Sequence, residues 1–340
     1  MYRRGISSPL FDRWRQVCQD LGNSVLLTSD DVRFPFDPSS VLPEKGEKMK
    51  FKEFTEEIRC IIAEMLSEDE STELCDVLKN NGVHMSAIVI RNKDVNISPT
   101  IYLEHFYDLY LEGGDIYETA EEIMRVYKEN CCREKIDVDF FSDFEKIKDR
   151  VFVKLVNRDR NSDMLENTPY REFLDLALIP YCTVDDIGGQ NASIRITKDH
   201  VKMWTADSEE LLEIAIKNTR EKLGYEIKDM SDIVELPDSA GDEGQYTGMY
   251  VMTNSSRLNG APCMTFEDVL FNLSKSLNSG LYILPSSIHE IIIVPAACGE
   301  DMECMSDMVR QVNETALEKE EILSDHAYYF DPGKGYSYYN

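Results

Sequence analysis

Apolar residues at Phe51, Phe54, Ile58, Ile61, Ile62 and Met65 fall on one stripe of a 3.6-residue period, which predicts an amphipathic helix packed on something else. Two strand-like stretches follow at 73–79 and 84–90. Asn80-Asn81-Gly82 separates them, and because Asn and Gly tolerate positive φ the pair is expected to be an antiparallel hairpin. Asp115 with Glu118 precedes Ile116, Ala120, Ile123 and Tyr127, and Asp207 with Glu210 precedes Leu212, Ala215, Ile216, Thr219 and Leu223, with Gly224 as the stop. Both patterns read as capped helices. Thr265 with Asp268 opens a third, carrying Phe266, Val269, Leu270, Leu273 and Leu277 and ending near Gly280. Met302, Met305, Met308, Val309 and Val312 make a methionine-rich helical stripe, for which core filling is the default reading and an adaptable binding face the other. Strand candidates rich in Ile, Val, Leu and Tyr lie at 150–156, 172–182, 192–197, 249–253, 281–284 and 289–294. Helices and strands do not alternate regularly, so the expected fold class is α+β, with mixed, largely antiparallel sheets packed with amphipathic helices.

Charge divides the chain. Residues 1–48 hold equal numbers of basic and acidic side chains, so the net charge of −28, from 36 basic and 64 acidic residues, lies wholly in 49–340. Lys45-Gly46-Glu47-Lys48-Met49 can be encoded by a purine-rich ribosome-binding site just before a start codon. The expectation is that 1–48 is a non-native or disordered extension, the alternative being an ordered arm or linker. A soft boundary near residue 160 separates an expected N-terminal α+β subdomain, 49–160, from a C-terminal one, 161–340. The polar stretch Glu235 to Tyr246 has no period and reads as a loop. Chains of this length bury enough surface for a core without staples. The longest apolar run, Ile291 to Ala297, is far short of the roughly 18 residues a membrane span requires. Nine cysteines without framework spacing suit a reducing, cytoplasmic compartment. The acidic excess disfavours direct nucleic-acid binding, which depends on basic side chains displacing counterions.

The common phosphate cradles and the nucleophile elbow are absent from the sequence, as is metal-ligand spacing, so no cofactor or metal is expected. Pro285-Ser286-Ser287-Ile288-His289-Glu290 places a hydroxyl, an imidazole and a carboxylate between two strands. Ser287, His289 and Glu290 could act as nucleophile, base and orienter, or be ordinary turn chemistry. Arg171 and Asp175 interrupt an apolar stretch. On a continuous strand they would share a face with Phe173, either to hold an anionic ligand or as a partly buried ion pair. His200 lies in His200-Val-Lys-Met-Trp204, whose tryptophan reads as a packing anchor.

Several segments together resemble a family, catalogued as domain of unknown function 5688 and mostly clostridial. They are LKNNGVHMSAIVIRNKDVNISPTIYLEHFYDLYLEG (78–113), YREFLDLALIPYC (170–182), HVKMW (200–204), TNSSRLNGA (253–261), LYILPSSIHEIIIVP (281–295) and VNETALEKEEILSDHAYYFD (312–331). Residues 1–48 have no counterpart in it. More weakly, a strand, a helix and the closing strand pair after Met249 are similar to the domain of unknown function 1444 family. The resemblance implies a bacterial, cytoplasmic protein of accessory or mobile-element-linked genes, and supplies no established catalytic residues.

The leading expectation is a non-enzymatic binding or regulatory protein that engages a protein partner through an acidic surface. The alternative is a small-molecule-binding or hydrolytic enzyme with a site near Ser287, His289 and Glu290 or near Arg171 and Asp175, with His200 as a further contributor.

Overall fold

The computed structural model describes residues 48–338, apart from 97, 132–138, 188–189, 234–247 and 300. The expected extension, up to residue 47, and the polar stretch 235–246 lie outside the described residues.

The predicted first helix forms as α1, Phe51–Met65, and buries Phe54, Ile58, Ile61 and Ile62. It faces a three-stranded antiparallel sheet of β1 (Glu70–Leu78), β2 (His84–Asn92) and β3 (Thr100–Tyr102). Two further helices, α2 (Glu104–Leu111) and α3 (Ile116–Asn130), complete the layer, and the Asp115 carboxylate caps α3 by accepting from the N–H groups of Tyr117 and Glu118. Ile88, Ile90 and Ile101 of the sheet pack with Phe54, Ile58, Ile62, Ile123 and Tyr127 of the helices into a core of their own.

The remaining strands build two antiparallel sheets. In one, β6 (Leu176–Ile187) is flanked by β4 (Val151–Asn157) on one side and by β5 (Arg171–Phe173) and β7 (Gln190–Arg195) on the other. The other has six strands: β8 (Glu226–Asp229), β9 (Tyr250–Thr253), β10 (Leu281–Leu284), β11 (Ile291–Pro295), β12 (Tyr328–Asp331) and β13 (Gly335–Ser337). Their spatial order is β13-β12-β10-β11-β9-β8. Val153, Leu155 and Leu178 of the first sheet meet Ile283, Ile291, Ile293 and Tyr328 of the second in the largest core. Helices α4 (Ser208–Asn218), capped by Asp207, and α5 (Glu267–Leu277) contribute to it, as do Ile147 and Val201 from two shorter helices. On the opposite face of the six-stranded sheet, Val251, Ile292 and Val294 pack against Met305, Met308, Val309 and Val312 of α6 (Met302–Thr315). The methionine stripe is therefore core. Strands β10 and β11 are covered on both faces, which explains why residues 291–294 are apolar without alternation. The fold is α+β.

Two local expectations are corrected. Residues 172–182 are not one strand: Phe173 pairs with Leu176 across a two-residue turn in which Leu174 takes a left-handed φ of 59°. The alternation that would have put Arg171 and Asp175 on one strand face is thereby broken. Thr265 does not cap α5; its hydroxyl donates to the Pro262 carbonyl, and Phe266 occupies the cap position. The short strands β3, β8, β12 and β13 fall below the length at which period can be read.

The expected hairpin turn does more than reverse the chain. Asn81 adopts a φ of 58° and Gly82 one of 68°. Asn80 Nδ2 donates to the Glu320 carbonyl at 2.6 Å, and Asn81 Nδ2 to the carbonyls of Lys319 and Ile322 at 2.8 and 2.6 Å. Asn161 closes the clamp, accepting from the Asn81 N–H at 2.8 Å and donating to Asn81 Oδ1 at 3.0 Å and to the Asn157 carbonyl at 2.8 Å. Three asparagines thus pin the first sheet to the rest of the chain. Because Asn161 is buried, Asn161→Ala should cost about 2 kcal/mol by stranding its partners. Urea unfolding that leaves the midpoint unchanged would show that the clamp carries no stability.

Candidate functional site

The structure distributes the candidate residues over separate places. Ser287, His289 and Glu290 lie together in the connection between β10 and β11. Arg171 is on the surface, Asp175 at the β5–β6 turn, and His200 in a short helix, Lys198–Trp204.

The β10–β11 connection is buried, so its backbone groups are bonded to neighbouring chain. Ile288 N–H donates to the Glu321 carbonyl at 2.9 Å and Leu323 N–H to the Ser286 carbonyl at 2.7 Å, while Gly260 and Ala261 donate to His289 and Ile288. Gly260 is required by space. A Cβ there would lie 2.1 Å from Thr253 Oγ1 and 2.4 Å from the His289 carbonyl. Asn259 N–H donates to His289 Nδ1 at 3.1 Å, which occupies the ring's lone pair and leaves the proton on Nε2. Ser287 Oγ accepts from the His289 N–H at 3.0 Å. The imidazole is therefore not arranged to take a proton from Ser287. Burial, reinforced by the positive charge of Lys154, holds His289 down to about 4. Burial raises Glu290 to about 7, against the lowering effect of a hydrogen bond from Ser287.

These shifts have opposite effects on stability. Between pH 4.5 and 6.5 the unfolded chain binds the proton His289 lacks, while the folded chain keeps the one Glu290 would release, so the two trends offset. Above 6.5 only the Glu290 contribution remains, and folding weakens as its carboxyl ionises. Glu290→Gln should therefore be more stable than wild type by about 2 kcal/mol at pH 8, with little difference at pH 5. Equal urea midpoints at pH 8 would contradict the burial argument.

Arg171 and Asp175 do not meet. Arg171 bonds Glu209 of α4 at 2.8 Å, an exposed pair of little energetic weight. Asp175 instead accepts from His326 Nε2 at 2.9 Å and from the Tyr328 hydroxyl. His326 Nδ1 lies 3.1 Å from the Ala327 carbonyl, and the ring stacks on Tyr338 with centroids 5.3 Å apart. With both nitrogens facing acceptors the imidazolium is favoured. Desolvation opposes the charged forms, but their mutual attraction and hydrogen bonds prevail: His326 is raised above 6.5 and Asp175 lowered below 3.8.

The pair's full contribution is present between pH 3.8 and 6.5. It is lost as pH rises through the raised value of His326, or falls through the lowered value of Asp175. Asp175→Asn should cost about 2 kcal/mol at pH 6, and the gap should close on the alkaline side. A gap constant from pH 6 to 9 would exclude the ion pair.

His200 forms a reciprocal cap with Thr197: its N–H donates to Thr197 Oγ1, and Nδ1 accepts from the Thr197 N–H at 3.1 Å. Its ring meets Phe141 edge-on at 5.0 Å, and Trp204 Nε1 donates to the Phe141 carbonyl at 2.7 Å. These groups anchor packing.

Sequence reasoning missed Lys154, Asn259, Glu321, His326 and Tyr328. Lys154 carried a readable signal as the only charged residue within Val151–Asn157; the others acquire their roles through distant partners.

Two concavities lie elsewhere. One of about 240 Å³ at the β8–β9 edge is lined by Glu226, Lys228, Asp232, Thr253 and Arg257, and Glu226 lies 3.2 Å from Lys228. The other, about 480 Å³, lies between α1 and α3 and is lined by Met65, Met124, Glu121, Arg125, Lys128 and Glu129. Among the described residues, no helix is long and apolar enough to cross a membrane.

A family described as a family of unknown function (DUF5688) matches residues 51–332. Neither the curated proteins nor the solved structures give a match.

Proposed function

We propose that this chain, which belongs to the family of unknown function DUF5688, is a bacterial cytoplasmic binding protein that works through a protein partner and not by catalysis. The observation that carries this reading is the groove between α1 and α3. Met65, 40 % exposed, and the buried Met124 give it an apolar interior. Unbranched, polarizable methionines adapt to different apolar surfaces. The helices around it hold eight glutamates against four basic residues, and Arg125 is already engaged by Glu122 and Glu129. With the net charge of −28, this favours an amphipathic helical segment that is basic on its polar face. The same charge disfavours nucleic acid as a direct partner. The bonded state of His289 supports the non-catalytic part of the reading.

The test uses the full chain and a lysine–leucine amphipathic peptide, followed by fluorescence anisotropy against a scrambled peptide of equal composition. The amphipathic peptide should bind about tenfold more tightly, and Met65→Lys should remove that preference. Equal binding of the two peptides, or a preference untouched by Met65→Lys, would overturn the reading.

A further inference from the structure

We infer that the outer edge of β1 is a pairing surface for a second copy of this chain, joined antiparallel through Thr72–Leu78 so that two three-stranded sheets become one of six strands. This is independent of the groove between α1 and α3.

The direction of each backbone group follows from the register. β1 and β2 pair without a break from Glu70↔Asn92 to Leu78↔His84, and the bonds at the two ends of that ladder fix its phase. Lys79 N–H donates to the Val83 carbonyl at 2.8 Å, and Lys93 N–H to the Asp69 carbonyl at 3.1 Å. Bonded and non-bonded pairs alternate along an antiparallel ladder, so the odd-numbered residues of β1 turn their N–H and C=O groups to β2. On the far side of β2 the phase agrees, because Leu103 N–H donates to the carbonyl of the even-numbered Ser86 at 2.9 Å. Thr72, Leu74, Asp76 and Leu78 therefore direct their backbone groups away from the sheet. β1 is the end strand of the order β1-β2-β3, and among the described residues no hydrogen bond reaches the outward groups of these four.

Open edges of this length are ordinarily guarded by a proline, a bulge or an unpaired charge, and β1 has no such guard. The strand holds no proline and its register has no shift. Its charges are turned onto β2: Glu73 bonds Arg91 at 2.9 Å and Asp76 bonds His84 at 3.0 Å. Leu78, at the end of the edge, is 37 % exposed.

The strand is complementary to itself in one register. With a twofold axis through Cys75, Thr72 pairs with Leu78 of the second copy and Leu74 with its Asp76, and symmetry repeats both, which satisfies the outward N–H and C=O of all four residues. Sliding the copies by one bonded step leaves either Leu78 or Thr72 unpaired, and one of these slides sets Asp76 against its own counterpart. In the central register no carboxylate opposes another, since Glu73 faces Val77 and Asp76 faces Leu74. Twofold pairing of this kind is isologous and closes at two copies. It also brings the two half-buried, free Cys75 thiols opposite each other in a non-hydrogen-bonded pair, with Cα atoms about 4.5 Å apart, within the range a disulfide spans.

The first measurement is light scattering of the full chain across a dilution series, which should give twice the mass of one chain and fall towards one chain on dilution. Asp76→Pro removes an outward N–H and leaves the bonds to β2 in place, whereas Asp76→Ala loses the same ion pair to His84 but keeps the N–H. The proline variant should weaken the dimer at least tenfold relative to the alanine variant. Diamide treatment of wild type keeps the test readable should the proline variant fold poorly. The two Cys75 thiols give up two protons and two electrons to the N=N bond of diamide as the S–S bond forms, and a covalent dimer absent from Cys75→Ser is expected. One-chain mass at every concentration would overturn the inference and leave an extended segment of another protein as the occupant. A dimer equally stable in Asp76→Pro and Asp76→Ala, or a cross-link that persists in Cys75→Ser, would overturn it as well.

Discussion

A buried connection between two strands has backbone groups that water cannot reach, and the fold of this chain is organised around satisfying them. The β10–β11 hairpin is covered on both faces, so its connection has no solvent side. Residues 321–324 pair with it along one side and the turn at 259–261 bonds it along the other. The segment 319–322 in turn offers the carbonyls that receive the hairpin tip of the first sheet. The attachment of the first module can thus be followed, bond by bond, from the hydrogen-bonding requirement of one tight connection. The glycine at 260 belongs to the same constraint, because the approach that brings its N–H onto the His289 carbonyl leaves no room for a side chain.

That constraint also decides the character of the titratable groups nearby. His289 and Glu290 sit where charge is disfavoured, and both shift towards their neutral forms. Perturbed groups of this kind often mark active sites, yet bonding geometry separates the two cases. Here the imidazole lone pair faces a backbone N–H and the serine oxygen accepts from the chain, so the cluster shapes the connection. Asp175 and His326 are the contrasting case, a partly buried pair in which attraction and hydrogen bonding overcome desolvation and both groups shift towards their charged forms.

Surface charge follows the same local logic. The acidic helices α1 and α3 surround a methionine groove, and Arg125 in its lining is held by Glu122 and Glu129.

The helices were legible because a helix announces itself within a few residues: the stripe of α1, and the Asp115 and Asp207 caps, need only local spacing. The Asn80-Asn81-Gly82 turn and the apolar run of β11 were legible for the same reason. The sequence by itself determined these elements, the α+β class and the strongly acidic character. Tertiary structure alone decided which polar groups meet. Asp175 and His326 are 151 residues apart, and Asn81 and Ile322 are 241 apart. Leu174 shows the limit from the other direction, since a single left-handed residue turned an apparently continuous strand into a hairpin and sent Arg171 and Asp175 to different partners. Period and capping are properties of neighbouring residues, whereas hydrogen-bond partners and charge environments are set by packing, which no local pattern encodes.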